Sequence, residues 1–172
     1  PISFWCFRNG NKLTAITQTP LDMKPHEKKL LEIATDIIEL NSWCNAALTG
    51  SLMLKHRGIE TGRDARDIDI IVEELDPEDP PTVPSVFELV DTAGSKSGLE
   101  AIQYKNKEGV KVDFLFSEEP REIHEGIVCG SLKCLIEAKS GYAKNDIGES
   151  RQKHEFDLKQ IGDLWKTIYP GK

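Results

Sequence analysis

The segment Arg66-Asp67-Ile68-Asp69-Ile70-Ile71-Val72 constrains this chain more than any other. Side chains alternate along a strand, so Asp67 and Asp69 share one face while Ile68, Ile70 and Val72 take the other. The two carboxylates then stand about 6–7 Å apart. At an effective dielectric near 20 they repel by about 2–3 kcal/mol. A fold that keeps them together on a strand needs a cation to relieve them. An isolated Asp-x-Asp is common on solvent-facing edge strands, so the pair has to be weighed with its neighbours.

Two neighbours give it meaning. Upstream, Leu48-Thr49-Gly50-Ser51 reads as a strand passing through a small-residue turn into a helix. Glycine admits close approach to a ligand, and Ser51 with the first helical amides offers donors to phosphate oxygens. Downstream, Val112-Asp113-Phe114-Leu115-Phe116 alternates with Asp113 facing away from Val112, Phe114 and Phe116. If strand 110–116 lies beside strand 66–72, three carboxylates converge. Hard divalent cations bind through one or two carboxylates plus substrate phosphates.

The remaining elements follow from periodicity and turn chemistry. Strands over 2–8 and 12–17 flank Asn9-Gly10, a hairpin signal. A helix spans Pro25 to Asn41, with Leu30, Leu31, Ala34, Ile37 and Ile38 at helical spacing. A strand is expected at Trp43–Thr49, a short helix from Ser51, an acidic loop at Glu73–Pro84 and a short helix near Ser85–Asp91. A second hairpin pairs 99–105 with 110–116, and a short strand follows near Ile127–Val128. Helices at Ser131–Ala143 and Glu149–Ile168 close the chain, the last with an Asp146-x-x-Glu149 capping box. The class is α/β (α+β), a small mixed sheet flanked by helices. One domain of 172 residues is expected, divided into an N-terminal hairpin and connector (1–24), a core (25–128) and two C-terminal helices (129–172).

Helical spacing also places Lys139 among Leu132, Leu135, Ile136 and Ala143, and Asp157 four residues before Ile161 in an apolar stripe. Neither is stable buried alone. Either they pair with each other or reach water at the rim, or Lys139 reaches nucleotide phosphates and Asp157 orients it. Arg63 and Arg66 are further phosphate or acceptor candidates, although exposed arginines are common on strands and loops.

Strand, Gly-Ser, short helix and an hydrophobic-Asp-hydrophobic-Asp strand together resemble the nucleotidyltransferase superfamily, which includes polymerase beta and the antibiotic nucleotidyltransferases. Residues 48–52 and 66–70 are most similar to single-domain members such as abortive-infection toxins of toxin–antitoxin systems. Lys139 and Arg151-Gln152-Lys153-His154-Glu155-Phe156-Asp157-Leu158 are similar to that group's tail. The spacing from Ser51 to Asp67 is slightly longer than the commonest one, with Gly58–Arg63 as the extra loop.

The resemblance implies that Gly50 and Ser51 hold the triphosphate, with Lys139 and Asp157 at the nucleotide, and Arg66 joins the nucleotide-binding candidates as the arginine next to Asp67. Asp67 and Asp69 would ligate Mg²⁺ (or Mn²⁺), and Asp113 would complete the site and help take the acceptor's proton. The reaction would move a nucleoside monophosphate from an NTP to a hydroxyl of a small molecule, protein or RNA end. A catalytically degenerate nucleotide-binding or regulatory partner is the alternative.

Composition limits the partners. The net charge of −7 disfavours long nucleic acid. No apolar run approaches a membrane span. The four cysteines lack metal or disulfide spacing, which fits a cytoplasmic protein. A homodimer or partner protein could complete the acceptor side.

Overall fold

A computed structural model describes residues 2–6, 14–18, 23–76, 78–91 and 101–168, of which 2–6, 14–18, 91 and 164–168 are described by backbone alone. Strands β1 (Ile2–Cys6) and β2 (Thr14–Gln18) pair antiparallel as a two-stranded sheet, Ile2 opposite Gln18. The Asn9-Gly10 turn lies outside the described residues.

Helix α1 (Pro25–Leu40) follows. Its apolar stripe is the one read from spacing, with Leu30, Ala34, Ile37 and Ile38 buried. Asn41 ends it and is wholly buried, because its amide is fully used. It donates to the Ile37 and Thr82 carbonyls, 2.7 Å each, and accepts from the Thr82 N–H at 2.8 Å. The acidic loop is thereby pinned to the helix end.

A seven-stranded mixed sheet carries the rest. It comprises β3 (Ala47–Thr49), β4 (Ile68–Val72), β5 (Phe87–Asp91), β6 (Ala101–Asn106), β7 (Lys111–Phe116), β8 (Arg121–His124) and β9 (Ile127–Gly130). Their spatial order is β5-β6-β7-β4-β3-β9-β8. The β4–β7 and β3–β9 pairs are parallel, and the other pairs are antiparallel. Helix α2 (Gly50–His56) leaves β3 directly, and α3 (Leu132–Asn145) and α4 (Gly148–Ile168) end the chain. Ile68, Ile70, Val72, Val112 and Phe114 join the α1 stripe and Leu52 and Leu54 of α2 in one core. The helix–sheet packing that results is the expected architecture, mixed sheet and two C-terminal helices included.

Several local expectations are corrected. Residues 85–91 form the edge strand β5, not a helix. Its apolar pairs at Val86-Phe87 and Leu89-Val90 mimic helical spacing, but pairing with β6, with an irregularity between Leu89 and Asp91, overrides it. Trp43 is not in a strand. A short 3-10 turn at Ser42–Cys44 and a left-handed Asn45 (φ 53°) delay β3 to Ala47. β8 was not anticipated, because Arg-Glu-Ile-His has no clear alternation. It is held by Arg57, which donates to Glu122 Oε2 at 2.5 Å. Finally, α4 begins at Gly148, so Ile147 rather than Asp146 occupies the cap position. The Asp146 carboxylate accepts from Ser150 Oγ instead, at 2.6 Å.

Phe116, assigned by alternation to the buried side of β7, is 36% exposed at the strand end.

A buried glutamate sets where β4 begins. Glu27 is 1% exposed. One oxygen accepts the Lys24 N–H at 3.1 Å, capping α1, and the other accepts the Ala65 N–H at 2.9 Å, two residues before Asp67. Lys55 Nζ, 3.7 Å away, balances its charge. Removing one partner of such a group strands the others, at a cost of about 3–5 kcal/mol. Glu27→Ala should lower unfolding free energy in denaturant by about that amount. A change below about 1 kcal/mol would show that the carboxylate does not anchor this segment.

Candidate functional site

The parallel pairing of β4 and β7 decides the site. It sets Asp69 directly beside Asp113, with Ile68, Ile70 and Val72 beside Val112, Phe114 and Phe116 in the same register. Register across neighbouring strands extends the row: Thr49 lies opposite Asp69, and Gln103 opposite Asp113. Asp67 does not belong to the strand expected over 66–72, because β4 begins at Ile68; it sits in a bend two residues before Asp69 and is exposed.

Both registered carboxyls are held above their ordinary pKa, by burial first and by neighbouring carboxylates after it. Burial raises the Asp69 carboxyl first, and Asp113 and Asp67 raise it further, to about 7, against the partial relief of Lys139 and Lys153. Asp69 is nonetheless only partly buried by surface area, so it remains reachable from the cleft. Asp113 is raised as well, by burial and by Asp67, while Gln103 opposes the shift by donating to Oδ1 at 2.6 Å.

Gly50 explains how β3 can turn so close to this row. Its φ is +69°, a left-handed value that favours glycine. A Cβ there would overlap the Asp69 carboxylate, with Cγ at 2.9 Å. The glycine is thus required twice, by its own backbone and by its neighbour. Ser51 follows at the start of α2, and Arg63 Nη2 donates weakly to its Oγ at 3.4 Å.

The C-terminal helices supply the opposite charge. Asp157 is completely buried and Lys139 is 4% exposed. Lys139 Nζ donates to Asp157 Oδ2 at 2.7 Å, so the two do pair with each other. Burial would raise Asp157, but hydrogen bonds from Arg63 and Lys139 outweigh it and hold the carboxyl below its ordinary value. Burial lowers Lys139, against the opposing pull of Asp157.

A cleft of about 530 Å³ opens between the sheet and these helices. Gly50, Ser51, Asp69, Lys139 and Lys153 mark its charged end, and Ile71, Leu115 and Leu135 belong to its apolar lining. A nucleotide-sized ligand fits such a volume. The structure therefore brings Gly50, Ser51, Asp69 and Lys139 to one cleft, with Asp113 beside Asp69 and Asp157 behind Lys139. Arg66 stands apart: it is exposed and lines another groove with His26, Lys29 and Glu108. Two residues given no definite role from sequence enter instead, Lys153 of the tail motif and Arg63, a phosphate or acceptor candidate. Lys153 lies one helical turn before Asp157, a spacing that could have singled it out. Arg63 reaches Asp157 from a loop far away in sequence, and no local signal marks that.

The donor set suits a hard cation, being carboxylate oxygens next to room for phosphates. The three aspartates do not close into a cage, however. Among the described residues, the group whose ligand atoms all lie within 4.8 Å of one another is His26, Glu27 and Asp64. That group is already engaged, Glu27 by backbone amides and Asp64 by Lys24 at 2.6 Å. Among the described residues no helix is long and apolar enough to cross a membrane.

The raised Asp69 carboxyl has a consequence for stability. Between its ordinary pKa of 3.8 and about 7, the folded protein holds a proton that the unfolded chain has released. Its stabilising contribution is complete below the lower value and is lost as pH rises through the upper one. The melting temperature of metal-free protein should fall across that window, and Asp69→Asn should flatten the fall. Equal slopes in the two proteins would show that Asp69 titrates normally. Gly50→Ala should lower stability by at least about 1 kcal/mol, from strained φ and overlap with Asp69. A neutral effect in thermal unfolding would contradict the close approach.

No protein-family model matches the chain, and no curated protein matches it. Solved structures do. A candidate nucleotidyltransferase from H. pylori aligns over 84% of this chain and 70% of its own, with a TM-score of 0.50 at 15% identity. An antigenic nucleotidyltransferase-like protein from Paracoccidioides brasiliensis aligns over 83% and 78%, with a TM-score of 0.49 at 14% identity. Identity this low speaks to architecture alone. On that evidence the chain has the nucleotidyltransferase fold.

Proposed function

We infer that this protein is a metal-dependent nucleotidyltransferase, moving a nucleoside monophosphate from an NTP to an acceptor hydroxyl. The observation that carries the reading is the registered pair Asp69–Asp113, whose Asp69 lines the same cleft as Lys139 and Lys153. A triphosphate with its cation is the ligand class that satisfies both the carboxylates and the lysines at once.

Each residue then has a task. Gly50 lets the phosphates approach the backbone, and the Ser51 hydroxyl donates to a phosphate oxygen. Lys139 and Lys153 balance phosphate charge, with Asp157 orienting Lys139. Asp67 and Asp69 would hold Mg²⁺ or Mn²⁺, with Asp113 as the third carboxylate. A bound divalent ion would supply charge stabilisation at the reacting phosphorus and lower the pKa of an oxygen it touches. Asp113, with a raised carboxyl steadied by Gln103, is suited to accept the proton of the attacking hydroxyl. The hydroxyl oxygen bonds to the α-phosphorus, the bond to the bridging oxygen breaks, and pyrophosphate leaves with that electron pair. Arg66 is given no part in this.

The acceptor could be a small molecule, a protein or an RNA end; a toxin of a toxin–antitoxin pair is one setting, and a second copy or a partner could complete the acceptor side. One observation favours the alternative of a nucleotide-binding partner without catalysis, namely that the three carboxylates do not close into a cage.

Incubation with α-labelled NTP, Mg²⁺ and a cell lysate separates the two. The enzyme should deposit label on an acceptor and release pyrophosphate, and Asp67→Asn or Asp69→Asn should cut the rate at least about 10²-fold. Nucleotide binding without label transfer, across all four NTPs and Mn²⁺ as well as Mg²⁺, would leave the non-catalytic alternative.

A further inference from the structure

The loop between α2 and β4 does something the nucleotide reading does not require. Arg63 crosses to α4 and grips Asp157 with both arms of its guanidinium, Nη1 to Oδ1 at 2.7 Å and Nη2 to Oδ2 at 2.6 Å. Lys139 shares Oδ2 at 2.7 Å. The neighbouring residues are fitted for the crossing. Gly62 leaves room for the Phe156 ring, which a Cβ would meet at 3.0 Å, and Thr61 Oγ1 donates to the Arg63 carbonyl at 2.8 Å. Consecutive residues of the loop therefore seat on consecutive residues of α4.

Charge counting shows what the second cation changes. Asp157 and Lys139 alone are neutral, and such a pair offers a phosphate little attraction. With Arg63 on the same carboxylate, two cations face one anion and the group carries one net positive charge. Asp157 is completely buried and Arg63 is 28% exposed at its side chain, so little solvent screens the carboxylate. Arg63 Nη2 also lies 3.4 Å from Ser51 Oγ, which places this charge beside the Gly50-Ser51 turn.

We propose that Arg63 is a positioning residue that neutralises Asp157, so that Lys139 keeps its full charge for an anionic phosphate chain in the cleft. The proposal rests on the reading of the cleft as a phosphate site, not on nucleotidyl transfer itself. The bidentate fork matters to it, because lysine cannot span both oxygens of a carboxylate with fixed geometry. Arg63 need not touch the ligand.

Inorganic tripolyphosphate is the probe, titrated calorimetrically at low ionic strength into the full chain well below its melting temperature. Arg63→Ala removes the added charge and should weaken binding about 10-fold or more. The double variant Arg63→Ala/Asp157→Asn restores one net positive charge and should recover most of that loss, although it has fewer native contacts. A merely structural Arg63 predicts the reverse order, with the double variant the weakest. If Arg63→Ala fails to fold, Arg63→Gln keeps a planar hydrogen-bonding head without charge and carries the same comparison. Equal affinity in wild type and single variant, no recovery in the double variant, or no tripolyphosphate binding by wild type each overturns the proposal. Tripolyphosphate binding in the expected order, without any label transfer from NTP, would overturn the enzymatic reading and leave this one standing.

Discussion

Two carboxylates at the same register on adjacent parallel strands cannot both ionise freely, and much of this molecule is arranged around that fact. Asp69 and Asp113 are such a pair, with Asp67 adding its charge from the bend just before β4. In water the repulsion would be minor. Within the cleft, burial raises Asp69 first and the repulsion of Asp113 and Asp67 adds to it, to about 7. Nothing in the local sequence compels the strands to pair this way. The hydrophobic side does, since Ile68, Ile70 and Val72 find their places only with Val112 and Phe114 beside them in the core. The carboxylates are brought together by the packing of the residues behind them, and the strain is carried by the fold's apolar face.

The C-terminal helices answer with cations held in an unusual way. A fully buried aspartate, Asp157, gathers Arg63 and Lys139 and so ties α3, α4 and the loop before β4 into one unit. Buried ion groups rarely add much net stability compared with apolar residues of the same size. Their value here lies in geometry: they fix Lys139 in the lining of the cleft of about 530 Å³ that Asp69 also lines. A phosphate chain with a divalent cation is complementary to that mixture of charges, whereas an apolar or a simply anionic ligand would leave the carboxylates unanswered.

How far this was legible depended on distance along the chain. The alternation around Asp67 and Asp69, the small-residue turn at Gly50-Ser51, the α1 stripe and the misplaced charges at Lys139 and Asp157 are all written in local spacing, and the nucleotidyltransferase fold followed from them. Convergence of Asp113 was conditional on a strand pairing that only the structure supplied. Residues 85–91 were misread because edge-strand pairing overruled a helix-like apolar spacing, and β8 because four residues at an edge carry too little pattern. For Arg63 the sequence offers a phosphate or acceptor contact or plain exposure, and neither is the contact with Asp157 that it makes. Its partner lies on the last helix, and neither loop composition nor period encodes a contact of that range. Glu27 was hidden for the same reason: in sequence it is one more charge near a helix start.

The central claim is that the acidic row and the lysines of the cleft form one site for a nucleotide with its metal. Thermal unfolding with each NTP, with and without Mg²⁺, measures this most directly. The account predicts stabilisation by at least one NTP that requires Mg²⁺ and disappears in Asp67→Ala/Asp69→Ala, since binding only to the folded state raises its stability. Stabilisation that is absent for every NTP, or that persists in that variant or without metal, would contradict it.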